Sequence, residues 1–374
     1  MDVVSGQIVL ANTQRAIGYV IAAILSIGFV VAVVVNMRKG RREVGSEIEL
    51  APNRKPYYDD DTLETKKLDR TLALGLGTLA VIGLTLPLYW LAEPGRMEGR
   101  IEGYRETFIK RGEELYNEGA QCAACHGPKG VGGAANYTIT APNGDFVAQV
   151  SWQAPALNTV LFRYSRDEVR NILVYGRGFS PMPAWGAEGG GPLTSQQIEN
   201  IIDYLQSIQL SGPEARAEVD KEIAETCAPD AEGRCTIPNG EFATLGEAIF
   251  NMGLTTKFAG GAYSCGRCHT EGWSYGKPGV PGGGAFGWNL TGGRSLRQFP
   301  TAEQQIEFVA VGGVAGKSYG ISGMSGAGQM PGFGVNPNVT PPNIPGPKIY
   351  PMSPDQVMLT PEQIAAVVEY ERSL

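Results

Sequence analysis

One five-residue pattern, Cys-x-x-Cys-His, occurs twice and constrains this chain more than anything else in it. The copies are Cys122, Cys125 and His126, then Cys265, Cys268 and His269. The 374 residues contain only these two histidines, so every imidazole the chain owns closes such a motif. A centre that needs several imidazoles cannot be built from this chain alone. Six cysteines in that length are too sparse for a disulfide scaffold, and four of them belong to the two motifs. The net charge of −7 argues against a nucleic-acid partner, because neutralising phosphates needs a basic face.

Three chemistries compete for the motif. A structural zinc needs four ligands, as a rule from two knuckles brought together, and here the motifs stand in separate repeats. A redox Cys-x-x-Cys follows a strand in a thioredoxin-like unit, and no strand-rich pattern precedes either copy. Covalent haem needs one thiol for each of two vinyl groups and a histidine that reaches the iron from the same side. Cys-x-x-Cys-His supplies this set in the shortest possible length, and its repetition strengthens the reading.

Sliding the chain on itself reveals an internal repeat. "KRGEELYNEGAQCAACHG" matches "TLGEAIFNMG" followed by "YSCGRCHTEG"; "YSRDEVRNILVYGRG" matches "PTAEQQIEFVAVGG"; "SPMPAWG" matches "GQMPGFG"; "LTSQQIENIIDYLQSI" matches "LTPEQIAAVVEYERSL". The four landmarks keep their order. Each copy reads as three amphipathic helices around glycine-rich loops, with Thr194 and Thr360 as N-caps of the closing helices. Their cores are small for their length, which leaves room for a buried group.

With no histidine to spare, methionine is the expected second axial ligand, and it raises the potential of a haem. The repeat proposes Met182 and Met330, each followed by proline, 56 residues after His126 and 61 after His269. Met324 is the nearest competitor in the second copy. "GVPGGGAFGWNL" follows no strand and opens no helix, so it is no phosphate cradle; it is expected to bring backbone close to a porphyrin. Cys227 and Cys235, in the link between the copies, are expected to form a disulfide outside the cytoplasm.

Two apolar runs precede the repeat, at 17–36 and 71–92, each near the twenty residues a helix needs to cross a bilayer. The basic cluster follows the first run, which reads as a retained anchor rather than a cleaved signal. Nine Lys and Arg in 37–70 place that loop in the cytoplasm. Residues 1–16 and everything after 92 are then extracytoplasmic, on a bacterial cell membrane crossed twice.

The two copies resemble class I cytochrome c domains, on the strength of the Cys-x-x-Cys-His motifs, the Met-Pro loops and the closing helices. The resemblance implies an all-α architecture: two transmembrane helices, a cytochrome c domain at 93–212, a linker at 213–242 and a second cytochrome c domain at 243–374. It implies two covalently bound haem c groups, held by Cys122, Cys125, Cys265 and Cys268. His126, Met182, His269 and Met330 would be the iron ligands. No catalytic residue is evident, and the expected function is one-electron transfer. The chain resembles the dihaem c subunit of bcc-type quinol–cytochrome c reductases, with cytochrome b and a Rieske protein as partners, and also that of cbb-type haem–copper oxidases. A soluble cytochrome c is a further expected partner, and a dihaem peroxidase a more distant reading. The proline-rich insert at 335–354 departs from the family pattern and reads as a surface loop or a docking strap.

Overall fold

The computed structural model describes residues 20–21, 23–25, 27–32, 34–35, 38, 62–178, 180–237, 240–252, 263–314, 316–325, 330–339 and 350–374. The chain divides into two compact units, Met1–Tyr104 and Arg105–Leu374.

In the first unit, the described residues between 20 and 38 are helical and exposed. The rest of the 17–36 run, the N-terminal 1–16 segment and nearly all of 37–61 lie outside the described residues. Helix resumes at Thr62 with a wide turn, Thr62–Lys67, and passes into α1, Leu68–Glu114. The end of the expected loop is therefore helix, which suits "LETKKLDR", a run of good helix formers. The expected break after residue 92 is also absent. Pro87 and Pro94 lie inside the helix without ending it, as apolar spanning helices tolerate. Over Glu64–Gly119 the helix is long and apolar enough to cross a membrane, and its apolar window is not buried against the protein. Leu74, Trp90 and Leu91 are about three-quarters exposed. An unburied apolar stretch of this length is compatible with membrane anchoring.

The second unit is helix-rich but not all-α. In its first part a short turn helix, α2 (Ala123–His126), leads into an antiparallel hairpin, β1 (Gly133–Thr140) and β2 (Phe146–Ala154). Helices α3 (Arg166–Tyr175) and α4 (Ser195–Ser207) follow. The hairpin overturns the helix-only expectation. Its signal is present: in β2, Ala148 and Val150 alternate with the more exposed Val147, Gln149 and Ser151, and Asn143-Gly144 turns the chain with Gly144 at φ +90°.

The expected linker is also more than a connection. Helix α5, Gly212–Thr226, starts at a Ser211–Glu214 capping box and buries Ala215, Val219 and Ile223 in the second copy's core. The Cys227–Cys235 disulfide closes the loop behind it. The second copy then runs α6 (Leu245–Asn251), α7 (Gly266–His269), α8 (Arg294–Gln298), α9 (Ala302–Val311), the short pair β3 (Ser318–Tyr319) and β4 (Met324–Ser325), and α10 (Pro361–Ser373). Thr194 and Thr360 cap α4 and α10 through reciprocal bonds to Gln197 and Gln363, each contributing about 1 kcal/mol.

One helix crossing recurs. A Cβ on Gly112 would meet the Asn200 carbonyl and Tyr204 Cβ, and one on Gly246 would meet the Ala366 carbonyl and Tyr370 Cβ. Only glycine lets α1 and α6 approach the closing helices α4 and α10 so closely. Beside each crossing a ring pair seals the contact, Tyr116 with Tyr204 at 5.2 Å and Phe250 with Tyr370 at 5.3 Å. Around them pack Val169, Leu173, Ile198, Ile201 and Leu205 in one core, and Ile249, Val309, Ile364, Val367 and Val368 in the other.

The proline-rich insert is described at 335–339 and from 350 onward. Val335 and Asn336 are buried, and Asn338 Nδ2 donates to the carbonyls of Leu161 (2.7 Å) and Tyr164 (2.9 Å) in the first copy. The start of the insert therefore straps the chain's own two copies together.

Candidate functional site

Each Cys-x-x-Cys-His closes one tight turn. His126 N–H donates to the Cys122 carbonyl at 2.9 Å, and His269 N–H to the Cys265 carbonyl at 3.0 Å. The turn brings both thiols and the imidazole of a motif to one wall. The Cys227–Cys235 bridge aside, the cysteines are free. Burial pushes the Cys122 thiol up to about 11 and raises Cys265 and Cys268 as well. Among the described residues, no three His, Cys, Asp or Glu side chains converge on a point that could hold a metal ion.

The two imidazoles are oriented alike. His126 Nδ1 lies 2.8 Å from the Pro155 carbonyl, and His269 Nδ1 lies 2.7 Å from the Trp288 carbonyl. A carbonyl only accepts, so each Nδ1 carries the proton and each Nε2 is left as a free lone pair, the arrangement of a metal-bound histidine. Burial depresses both imidazole pKa values, which keeps them in the neutral, ligating form. The glycine-rich loop reaches this point: a Cβ on Gly287 would strike the His269 ring, and Gly287 N–H donates to the Cys268 carbonyl at 2.7 Å.

The Met-Pro loops are also built alike. Gly176 and Gly312, at φ +69° and +82°, stop α3 and α9. The next residue turns back: Arg177 N–H and Gly313 N–H each donate at 3.0 Å to the carbonyls of Met182 and Met330. Trp185 N–H then bonds the Leu173 carbonyl at 2.9 Å, and Phe333 N–H the Val309 carbonyl at 3.1 Å. A side chain on either glycine would collide with its Met-Pro backbone.

A cavity of about 840 Å³ is lined by both motifs, Met182 and Met330. Its walls are mostly apolar, from Leu157, Val160, Leu173, Trp185, Ile201, Leu290, Phe308 and Val309. Five arginines line it (163, 177, 267, 294 and 297) against one acid, Glu371. Arg163 is buried, donates to the Ala156 carbonyl at 3.0 Å, and has an Nε with no partner. Arg267, between the cysteines of the second motif, reaches the Gln153 carbonyl of the hairpin at 2.5 Å, and burial pushes its pKa down to about 10. An apolar slot with thiols, imidazoles and thioethers on its walls and guanidinium groups beside it fits a flat apolar macrocycle that carries carboxylates.

Three features escaped the sequence reading. Trp152 of β2 stacks on Phe286 of the second copy at 6.0 Å and 30°, so the hairpin clasps the second motif. Arg267 bonds across the two copies. In α9 and α10, Gln305 and Glu371 stand where the repeat places Val169 and Leu205. That last difference is readable by aligning the copies residue by residue.

The site and the helix crossing define a cytochrome c-type domain in the first copy. The family model described as cytochrome c oxidase, cbb3-type, subunit III matches residues 108–205. Such a domain carries covalently bound haem c and transfers electrons. A curated relative, one of the subunits of the nicotinate dehydrogenase of Pseudomonas putida, is 28% identical over 172 residues. That match covers 39% of this chain and 14% of the relative. No solved structure matches the chain.

Proposed function

We propose that this chain is a membrane-anchored dihaem c-type cytochrome that passes single electrons within a respiratory complex. The observation that carries the reading is the duplicate frame: in each copy a Cys-x-x-Cys-His turn, an imidazole fixed through Nδ1 and a methionine behind a glycine stop face one cavity. Cys122 with Cys125, and Cys265 with Cys268, would hold the two groups as thioethers. His126 and His269 would hold the iron through Nε2, and Met182 and Met330 through sulfur. When bound, haem c supplies a one-electron iron couple whose potential the axial sulfur raises. The arginines would balance its carboxylates, and the Trp152–Phe286 stack ties the hairpin to the second copy.

The reductase reading, with cytochrome b and a Rieske protein as partners, is our first assignment. It rests on resemblance and on the apolar helix Glu64–Gly119, which would anchor the chain with its cytochrome unit outside the cytoplasm. The cbb-type oxidase is the second reading, favoured by the description of the matching family model. Met330, framed as Met182 is, supports transfer over peroxidase chemistry, which needs an open iron position. The test is a haem count by pyridine haemochrome, expected at two per chain, followed by isolation of the native complex from membranes. A co-purifying cytochrome b supports the first assignment, a haem–copper subunit replaces it with the second, and one haem per chain sinks the dihaem reading.

A further inference from the structure

The two ends of the cavity differ in polarity at a matched pair of positions. In the first copy the pair is Val169 and Leu205, both buried and both lining the cavity. In the second it is Gln305 and Glu371, 3% and 5% exposed, and they line the cavity as well. Gln305 Nε2 donates to Glu371 Oε2 at 2.9 Å. Arg372 Nη1 donates to Gln305 Oε1 at 3.2 Å, which fixes the amide so that its NH₂ faces the carboxyl. Cys265, the first cysteine of the second motif, is within hydrogen-bonding reach of Glu371. A polar triad thus stands against one pocket only, with its carboxyl beside the point of attachment.

Resting on the dihaem reading above, we infer that Glu371 is a redox-linked proton site: it takes up a proton when the second haem is reduced and releases it on oxidation. The step balances. A one-electron donor adds one electron to the iron, water supplies one proton, and the Glu371 carboxylate becomes the neutral acid. No bond to the porphyrin changes. The physical cause is charge: the oxidised centre carries one more positive charge, which favours a carboxylate nearby, and reduction removes that support. Burial already raises the Glu371 carboxyl to about 7, against the Gln305 hydrogen bond, which lowers it. Once Cys265 is a thioether it has no proton to donate, so its share of that lowering is lost.

The other charged groups on the elements packed around Glu371 are engaged elsewhere or, like Glu362 and Glu369 on α10, exposed to solvent. From α9, Glu307 pairs with Lys317 at 4.0 Å, and Glu303 is held low by its own backbone and Thr301. From α6, Glu247 accepts from Ala243 N–H at 2.8 Å. From α8, Arg294 and Arg297 bond the carbonyls of Thr291 and Gly292. From α7, Arg267 bonds Gln153. On α10 itself, Arg372 also bonds the carbonyls of Phe299, Pro300 and Thr301. Leu205 leaves the first pocket with no counterpart.

The experiment is a potentiometric titration of the full-length dihaem protein between about pH 5 and pH 9, with Met330→Ala used to identify the second haem. The expected result is one potential that falls as pH rises and one that does not follow it. A fully coupled proton moves a one-electron potential by about 59 mV for each tenfold change in proton concentration. Glu371→Gln is expected to abolish the slope, and infrared difference spectra are expected to show a neutral carboxyl band on reduction that the variant lacks. Gln305→Leu, which keeps the carboxyl, is expected to move the sloping window to higher pH, and it serves if Glu371→Gln does not fold. A slope that survives Glu371→Gln, as haem carboxylates would give, overturns the inference. Two bound haems with flat potentials overturn it while leaving the dihaem reading intact, and a second copy without haem overturns both.

Discussion

Gly112 and Gly246 hold the same helix crossing in the two copies, and Gly176 and Gly312 stop the same helix ahead of the same Met-Pro turn. Around that shared frame the pockets diverge. The first is closed by apolar Val169 and Leu205 and flanked by the hairpin β1–β2; the second holds Gln305 and Glu371 and is flanked by the glycine-rich loop behind His269. Steric demands at a close backbone approach admit few substitutes, so the frame stayed the same. A side chain lining a pocket must only be buried and satisfied, so leucine can give way to a glutamate that has a glutamine partner.

The comparison can be broken first at the cysteines. Replacing Cys122 and Cys125 by alanine is expected to remove half of the haem measured by pyridine haemochrome, and Cys265 with Cys268 the other half. Loss of all haem from either double variant would mean that the copies do not load independently.

The frame itself is the next place to press. Gly246→Val forces a side chain into the Ala366 backbone, and destabilisation by about 3 kcal/mol is expected in denaturant melts. Gly112→Val should weaken the first copy comparably; a small effect in one copy alone would show that its crossing can spread.

The pH dependence of stability sharpens the contrast. Glu371 has a folded pKa raised to about 7 from 4.5, so the folded state binds the proton more tightly than the unfolded chain. Its contribution is fully present below pH 4.5 and is lost as pH rises through 7, by on the order of 3 kcal/mol. Denaturant melts across that window should show the loss, and Glu371→Gln should flatten it. Met182→Ala and Met330→Ala are each expected to lower one potential by more than about 60 mV, near 1.4 kcal/mol, and leave the other in place. Smallest is Asn338→Ala, which removes two bonds to the first copy and should cost about 1 kcal/mol.

Much of the frame was legible in the chain. The order of motif, Met-Pro loop and closing helix can be read from the repeat, and the caps at Thr194 and Thr360 from local pattern, because covalent attachment and helix capping need particular residues at fixed spacing. The hairpin was readable in principle from the alternation in "FVAQVSWQA" and the Asn-Gly turn, but the surrounding helical pattern hid it. The helical character of 212–226 carries little signal, because an acidic, alanine-containing segment between two copies reads equally well as a solvated connection. The strap at Asn338 had no local signal, since its bonds go to backbone carbonyls that any residue supplies.

By itself the sequence determined that two thiol pairs and two imidazoles would form two equivalent turns, and that a helix apolar on every side would need something other than this protein's core. These follow from residue type and spacing. Only the tertiary structure decided that both turns open on one cavity, that Trp152 and Arg267 tie one copy to the other, and that Glu371 lies buried beside Cys265 with Gln305 as its partner. The physical reason is that burial and hydrogen-bond partnership depend on which distant segments meet, and helix periodicity places Glu371 on an inward face without saying what waits there.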